Sequence, residues 1–399
     1  MPHLAIAGGS PIRTDSFPGW PRVTEVDRAG LTQVMQSGNL SVGRVKARFE
    51  KSFAEYCGVS YCIAVANGTV SLELILRGLG IGYGDEVILP PYTFIATLSS
   101  IIFAGATPVF ADIDRATYNL SPADAERRIT PRTKAIIAVA VAGRPVDCDA
   151  FAALAARYNL KLIIDAAQAV GAEWRGKSLC SYGDVASISC QNTKNLTCGE
   201  GGIILTGSKA LDTEIRAILG GGLRDGRYQT ISQDHGMTEM QASVLETQFN
   251  KFAGELSLRS ENAAYLDGRL KALPFVSPTD YDARITRHAY HLYIMRFDHR
   301  ALSERGLDRA AFIGAMNAEG IPLCAGYSPL YHFPCVRSAY TERIIGGKID
   351  DSPLPESELA GDLEGTWLFQ SLLLGTRREM DDIADAAEKI WEHADEARG

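Results

Sequence analysis

The sequence predicts an α/β protein. We expect a large domain with a mostly parallel seven-stranded sheet sandwiched by helices, followed by a smaller C-terminal α+β domain. Short β-branched, apolar runs recur from residue 61 to residue 205, and helical periodicity fills several of the intervals between them. A long stretch with few helix breakers then begins near Met237. These observations predict the large domain, with an extended N-terminal arm, at residues 1–255 and the small domain at residues 256–399.

The seven predicted strands are rich in β-branched residues and cover residues 61–66, 86–89, 107–112, 135–141, 162–165, 185–190 and 202–205. The run at 135–141 is apolar throughout, which is typical of a strand covered on both faces. Helical periodicity between the strands predicts helices at 70–79, 94–103, 122–128 and 150–158. This alternation predicts a doubly wound sheet, which binds its ligands at the carboxyl ends of its strands.

The second half of the chain predicts a different arrangement. A helix over 238–273 leads into a strand at 291–297, helices at 308–319 and 378–397, and an irregular edge at 321–334. At the other end of the chain, residues 8–21 are too rich in glycine and proline for regular structure, so we expect them to form the arm.

Charge and composition argue against several classes of partner. The 399 residues carry a formal net charge of -8 and no basic block, so we expect no nucleic-acid or anionic-membrane partner. No run of 18 apolar residues and no signal-peptide pattern occurs, so we expect a cytoplasmic protein. The eight cysteines form no C-x-x-C pair and the seven histidines no H-E-x-x-H motif. We therefore expect reduced cysteines and no metal site.

Lys194 is the residue that points most directly to a reaction. It lies in the sequence SCQNTKNLTCGEGG, between two apolar segments that we expect to be strands, and so on a short turn at a strand end. A lysine amine there can form a Schiff base with an aldehyde cofactor, and the small residues beside it leave room for one. The alternative is a surface lysine in a Gly-rich hairpin.

Two other strand ends supply further functions. Gly68 and Thr69 follow the first strand, where a helix N-terminus offers free N–H groups to a phosphate; the alternative is an ordinary N-cap at Asn67 or Thr69. The sequence PPYTFIAT after the second strand brings aromatic side chains to a helix start. An aromatic ring there either stacks on a planar ligand or fills the core.

Asp165 ends the fifth strand after three apolar residues, which is a costly place for a charge that has no partner. A pyridinium nitrogen would be such a partner, since the carboxylate keeps the ring protonated and able to withdraw electrons from a carbanion. Gln168 is then placed to cap the ring's phenolic oxygen, although Asp165 also fits a helix N-cap. A phosphate cradle, a ring stacker, a ring-nitrogen carboxylate and a Schiff-base lysine, in that order, predict pyridoxal phosphate as the cofactor.

These motifs make the sequence resemble the sugar aminotransferases of fold-type I pyridoxal-phosphate enzymes, the DegT/StrS family, from about Phe17 to the C-terminus. The matching runs are NGT at 67–69, PYTFIAT at 91–97, PVFADID at 108–114, DAAQ at 165–168, TKNL at 193–196 with GEGG at 199–202, and MTE at 237–239. The resemblance implies an aspartate aminotransferase-like fold and a homodimer whose active sites use residues of both chains.

Carried over by position, the resemblance implies that Lys194 is the Schiff-base lysine and that Asp165 pairs with the ring nitrogen. It places Gln168 at the phenolic oxygen and Phe94 on the ring. The phosphate would be held by Gly68, Thr69 and Ser189. The implied reaction moves an amino group from glutamate or glutamine to a cyclic ketone, and the freed lysine carries the proton between the amino carbon and the cofactor's aldehyde carbon.

Departures from the family pattern indicate the acceptor. Most members that act on nucleotide-linked sugars carry His-Pro where this chain has Gln191 and Asn192, and often His-Tyr-Pro where it reads GYS at 326–328. Glutamine at 191 resembles the branch that aminates keto-cyclitols and the aminohydroxybenzoate synthases, as do residues 17–21 and 367–375. The sequence therefore favours a free keto-cyclitol or keto-sugar. Three alternatives stay open: a nucleotide-linked keto-sugar, an aromatising reaction of the aminohydroxybenzoate type, and a regulatory relative without catalysis.

Asp234 stands where the family presents an asparagine to the phosphate of the neighbouring subunit. A carboxylate about 4 Å from a phosphate is repelled by roughly 4 kcal/mol per charge pair at an effective dielectric near 20. Three explanations stay open: Asp234 points away from the phosphate, His235 or Arg224 compensates its charge, or the register with the family differs by one residue. We therefore do not count Asp234 among the site residues. Four weaker candidates are not counted as catalytic: a lone strand histidine and a loop arginine are more often structural or exposed, and two further residues lie in the irregular segment that would face the cleft. The four are His291, Tyr327, His332 and Arg224.

Overall fold

The computed structural model describes residues 3–224, 226–277 and 282–397. The strands in these ranges are β1 Tyr61–Val65, β2 Glu86–Leu89, β3 Thr107–Phe110, β4 Thr133–Val139, β5 Lys161–Asp165, β6 Glu173–Trp174, β7 Lys177–Ser178, β8 Val185–Ser189, β9 Gly202–Thr206, β10 Leu223–Arg224, β11 Arg227–Tyr228, β12 Val276–Ser277, β13 Ile285–Arg287, β14 Leu292–Phe297, β15 Cys324–Ala325 and β16 Gly365–Phe369. The seven predicted strands are β1 to β5, β8 and β9. Each of their boundaries lies within two residues of the prediction.

The α-helices in the same ranges are α1 Glu25–Ser37, α2 Arg44–Cys57, α3 Gly68–Gly78, α4 Ile95–Phe103, α5 Pro122–Arg127, α6 Cys148–Tyr158, α7 Lys209–Leu219, α8 Glu239–Leu270, α9 His299–Glu304, α10 Arg309–Ala318, α11 Ala339–Ile345, α12 Pro355–Glu358 and α13 Arg377–Glu392. None of these described helices combines the length and the apolar character needed to cross a lipid bilayer.

The predicted C-terminal helix at 378–397 is wrong at its end. Helix α13 stops at Glu392, and a separate 3-10 turn, Ala394–Ala397, follows His393. The break lets the Glu396 carboxylate accept the backbone N–H groups of His3 and Leu4 at 2.7 and 2.8 Å. This turn therefore ties the beginning of the chain to its end instead of extending the helix.

The large sheet has the strand order β1-β9-β8-β5-β4-β2-β3. Strand β9 runs antiparallel to both of its neighbours, and the other pairs are parallel. The prediction of a mostly parallel seven-stranded sheet is confirmed. Because β9 is reversed, its first residue lies at the same edge as the carboxyl ends of β1, β5 and β8. The chain segments expected to form the site therefore meet at one edge of the sheet.

Helices cover both faces of this sheet, as expected for strands that are apolar on both sides. Alternate residues of each strand enter different cores: Ile136 packs with α2, α6 and the first part of α8, and Ile137 packs with α3, α4 and α7. Helix α3 begins where the Asn67 side chain accepts the N–H of Val70. Most of α3 is buried, so its N-terminus is held firmly against the sheet edge.

A second, four-stranded sheet with the order β12-β14-β16-β15 forms the core of the C-terminal part. It packs on α10, α13 and the last turns of α8 around Phe275, Phe297 and Phe312. This is the predicted α+β arrangement. Helix α8 runs without interruption from the first core to this one, and the boundary at 255/256 therefore falls inside α8 and stays a prediction.

Candidate active site

Lys194 lies in the connection between β8 and β9, where the sequence places it. Its backbone N–H donates to the carbonyl of Gln191 at 2.9 Å, and the Gln191 side chain accepts both the N–H and the hydroxyl of Thr193 at 2.8 Å. Burial lowers the pKa of Lys194 from 10.5 to about 8, and the nearby Asp165 carboxylate opposes this shift. An amine with a pKa near 8 is partly unprotonated around neutral pH, as a nucleophile or a base must be.

Asp165 is the last residue of β5, and its side chain is almost completely buried, at 4% exposure. One carboxylate oxygen accepts the Thr97 hydroxyl at 3.0 Å and the other accepts the N–H of Ala167 at 3.1 Å. Burial raises the pKa of Asp165, while these two hydrogen bonds and the charge of Lys194 act in the opposite direction. Asp165 and Lys194 are close enough to feel each other's charge, yet the structure shows no ion pair between them.

Gly68, Thr69 and Ser189 come together beside this pair. Gly68 opens α3, and a Cβ atom there would lie 2.7 Å from the Cβ of Ser189; a Cβ on Gly202 would lie 2.2 Å from the carbonyl oxygen of Asn67. Only glycine fits at these two positions without a shift. Since Asn67 caps the N–H of Val70, the N–H groups of Gly68 and Thr69 have no hydrogen-bond partner within the described ranges. They are available to an anion, with the positive end of the helix dipole behind them.

The side chain of Gln168 is fixed at both ends. Its Oε1 accepts the N–H of Ala142 at 2.6 Å, and its Nε2 donates to the hydroxyl of Tyr327 at 2.9 Å. Ala142 has φ of 60°, the left-handed region, which costs a non-glycine residue roughly 1–2 kcal/mol. Burial raises the pKa of Tyr327 to about 12, so its phenol stays neutral. A strained backbone and a neutral phenol therefore set the orientation of the Gln168 amide.

Phe94 occupies the N-cap position of α4. It is 56% exposed. Its carbonyl accepts the N–H of Thr97 at 3.2 Å, and the Thr97 hydroxyl reaches Asp165. Phe94 is thus an exposed ring one helical turn from the residue that binds the buried carboxylate. This placement is compatible with stacking on a planar ligand and does not fit the alternative of a core aromatic.

The weaker candidates occupy different positions. His291 is buried, and its Nδ1 lies 3.1 Å from Oδ1 of Asn195, whose Nδ2 donates to the carbonyl of Ala289. The pKa of His291 falls well below its ordinary value because burial, and then the charge of Lys194, disfavour the imidazolium. This arrangement agrees with its interpretation as a satisfied structural histidine.

His332 lies 3.0 Å from the Glu358 carboxylate. Asp234 is exposed, and the adjacent carbonyl of His235 accepts the N–H of Ala66 at 2.7 Å, which holds this segment beside the end of β1. The side chain of Arg224 lies outside the described residues.

These groups fit the cofactor that the sequence predicts. Asp165 is a buried carboxylate that needs a cationic partner, Lys194 supplies an amine for an aldehyde, and the amides of Gly68 and Thr69 open on a cradle of small residues. A protonated ring nitrogen, an aldehyde and a phosphate are the groups that pyridoxal phosphate offers.

Comparison with known proteins agrees with this fit. The sequence profile of the DegT/DnrJ/EryC1/StrS aminotransferase family matches residues 21–345. The L-glutamine:2-deoxy-scyllo-inosose aminotransferase of Micromonospora echinospora is 33% identical over 100% of both chains. The UDP-2-acetamido-2-deoxy-3-oxo-D-glucuronate aminotransferase of Pseudomonas aeruginosa is 36% identical over 82% of this chain and 89% of its own. An aminotransferase from Psychrobacter cryohalolentis has an X-ray structure with a TM-score of 0.87 and 29% identity, over 94% of this chain and 99% of that one.

The fold and the site define an aminotransferase dependent on pyridoxal phosphate. The chain belongs to the DegT/DnrJ/EryC1/StrS aminotransferase family. Bound pyridoxal phosphate supplies an aldehyde that takes up an amine and a ring that stabilises negative charge on the adjacent carbon, which lets one site move an amino group between two substrates. The fold, the enzyme class and the cofactor predicted from the sequence are confirmed.

Three contributors to the site were not among the predicted site residues. Thr97 had a usable signal, because it lies three residues after Phe94 on one helix face. Tyr327 was set aside as a weaker candidate in the irregular segment, and its contact with Gln168 spans 159 residues of sequence. Ala142 gave no signal at all, because nothing in an alanine predicts a left-handed backbone.

Proposed function

We propose that the enzyme transfers the amino group of glutamine to the keto group of an unlinked cyclitol of the 2-deoxy-scyllo-inosose type. The observation that carries this proposal is the relative of that name, which aligns over 100% of both chains. The relative named for a nucleotide-linked sugar aligns with 82% of this chain. Gln191 shapes the turn at residues 191–194, called the lysine turn below, through its hydrogen bonds to Thr193. A glutamine at this position favours the same branch.

The proposed roles follow from the geometry of the site. Lys194 would hold the cofactor through its amine, and the same amine, when free, would act as the base and acid that carries the proton to and from the substrate's amino carbon. Asp165 would be the ionised partner of the ring nitrogen, and the Thr97 hydroxyl donates a hydrogen bond that favours its charged form. Gln168 and Phe94 orient the ring, and the phosphate is held by Gly68, Thr69 and Ser189.

We further propose that two copies of the chain share these sites. Apolar side chains are exposed where the connection between α1 and α2 meets the start of α8: Leu40 at 40%, Val42 at 73% and Met240 at 37%. The N–H of Glu239 donates to the carbonyl of Leu40 at 3.0 Å, so these residues are neighbours. The same end of α8 reaches the lysine connection, because Gln241 donates to the carbonyl of Glu200 at 2.7 Å. A second copy on this patch would therefore border the site.

Light scattering of the purified protein tests the dimer, and Val42→Glu should shift the mass towards that of one chain and lower turnover together. A mass of one chain for the unmodified, active enzyme would refute it.

We also place the reaction in the cytoplasm, which is favoured by eight free cysteines, since thiols stay reduced there.

A substrate panel tests the acceptor and the donor. Purified enzyme is supplied with glutamine or glutamate and with 2-deoxy-scyllo-inosose, a UDP-linked 3-keto sugar or an unlinked keto sugar, and the amine product is measured. We expect the cyclitol with glutamine to give the highest kcat/KM, and Lys194→Ala to give no product with any pair. A preference for the UDP-linked sugar would assign the alternative acceptor, and loss of water to an aromatic product would assign the aromatising reaction.

A further inference from the structure

A buried arginine lies behind the lysine turn. Arg259 of α8 has no exposed side-chain surface, and its Nε and Nη2 both donate to Oε1 of Gln370, at 2.8 and 2.5 Å. Its Nη1 is buried without a hydrogen-bond partner among the described residues. The paired carboxylate, that of Glu255, lies 3.6 Å from Nη2, farther than an ordinary hydrogen bond.

This placement is expensive for stability. A buried guanidinium is costly when it lacks close carboxylates and when one of its nitrogens has no partner. Burial accordingly lowers the pKa of Arg259 to about 10. A methionine of similar length would fill the same space at a lower cost. A cost of this kind is expected where a residue serves the site and not the fold.

The contacts of Arg259 lead to the two carbonyls that precede Lys194. Because Arg259 holds Oε1 of Gln370, Nε2 of that amide is directed to the Thr193 carbonyl, at 3.4 Å. On its other side, the guanidinium lies 5.2 Å from the ring centre of Trp20, within the range of a cation–π contact. The indole N–H of Trp20 donates to the carbonyl of Asn192 at 2.9 Å.

We infer that Arg259 is a positioning residue for Lys194: through Gln370 and Trp20 it fixes the two peptide units that carry the lysine turn. The turn is exposed at Asn192 and Thr193, so these two carbonyls would otherwise exchange between side chains and water. This inference rests on the proposed role of Lys194, and it goes beyond that role by assigning part of the lysine's placement to a helix about 65 positions further along the chain.

Asn262 provides a matched control. It lies on the same helix one turn after Arg259, is 2% exposed, and holds the same C-terminal segment by donating to the carbonyls of Leu373 and Gly375 at 2.9 and 2.8 Å. None of these contacts reaches the lysine turn. A purely structural role for Arg259 therefore predicts equal effects of Asn262→Ala and Arg259→Met.

The test compares Arg259→Met, Arg259→Lys, Gln370→Leu and the double variant with Asn262→Ala and the unmodified protein. Amide hydrogen exchange of the peptide spanning 190–198 is measured without substrate, and kcat and KM are measured with the preferred pair. We expect exchange in this peptide to rise about tenfold or more in Arg259→Met and Gln370→Leu. We expect kcat to fall roughly 10²-fold with little change in KM. Arg259→Lys should recover part of both, and the double variant should be no worse than either single one.

Exchange in the lysine peptide that rises equally in Asn262→Ala, or effects of Arg259→Met and Gln370→Leu that add in the double variant, would overturn the inference. If Arg259→Met does not fold, Gln370→Leu carries the comparison alone. Because exchange is measured on the free enzyme, failure of the proposed acceptor in the substrate panel would leave this result unaffected.

Discussion

Replacing Asp165 with asparagine tests whether this buried carboxylate lowers the stability of the folded protein while it supports turnover. The carboxyl is 4% exposed, and its burial raises its pKa above the ordinary value of 3.8. A carboxyl whose pKa is higher in the folded state holds its proton more tightly there. Its unfavourable contribution is therefore absent below the unfolded pKa, grows as the pH rises towards the folded pKa, and is constant above it.

Asparagine has the shape of aspartate, keeps an oxygen for the Ala167 N–H, and offers an N–H₂ group to the Thr97 hydroxyl oxygen. We therefore expect Asp165→Asn to stabilise the cofactor-free protein at pH 7 by about 0.5–2 kcal/mol, the size of gain that a single stabilising substitution commonly gives. Each unit of pKa difference between the two states contributes about 1.4 kcal/mol to this gain. The same variant should lose most of its turnover, because the ring nitrogen loses its charged partner.

Urea unfolding of the cofactor-free protein between pH 4 and pH 8 measures the effect. The stability difference between Asp165→Asn and the unmodified protein should be small at the acid end and should widen as the pH rises. Asp267→Asn is the control, since burial also raises the pKa of Asp267 but Tyr293 and not the site contacts it; this variant should keep full turnover. A less stable Asp165→Asn protein at pH 7, or a difference that does not change with pH, would refute the reasoning.

Three further perturbations test other parts of the site. Thr97→Val removes a hydrogen bond that lowers the pKa of the site carboxylate, so the acid limb of the kcat/KM profile should move to higher pH and Thr97→Ser should restore it. Gly68→Ala places a Cβ 2.7 Å from that of Ser189, so it should cost about 1–3 kcal/mol and weaken cofactor binding in a titration followed by absorbance; unchanged affinity would contradict the cradle. Labelling of cofactor-free protein by an amine reagent should modify Lys194 with a midpoint near pH 8, and a midpoint near that of surface lysines, about 10.4, would contradict its burial.

Most of the sheet was predictable because its strands are buried on both faces, which leaves short apolar runs with clear ends. The run around Ile136 and Ile137 is the plainest case, since both neighbours are fully buried in different cores. Site residues at strand ends, such as Asp165 and Lys194, were predictable for a related reason. A charged residue at the end of an apolar strand, such as Asp165, needs a partner, and a lysine on the connection between two apolar strands, such as Lys194, is brought to the same edge of the sheet.

The parts that could not be predicted depend on contacts between distant residues. The bond from Arg259 to Gln370 joins residues 111 positions apart, and that from Gln168 to Tyr327 joins residues 159 apart. No local pattern encodes either pairing. The reversed direction of β9 was also invisible, since an apolar run has the same composition in both directions. Pairing with β8 and β1 decides its orientation.

The division between regular and irregular parts of the site has a consequence for engineering. The groups assigned to the cofactor lie at the ends of buried strands, at helix starts or in the connections that directly follow the strands, whereas Tyr327 belongs to a largely irregular stretch between β15 and α11. Such stretches tolerate exchange better than packed strands do. Grafting this stretch from a homologue with another sugar preference, with Tyr327 retained, should therefore change the acceptor while the cofactor chemistry is kept, so that one fold could make several amino sugars.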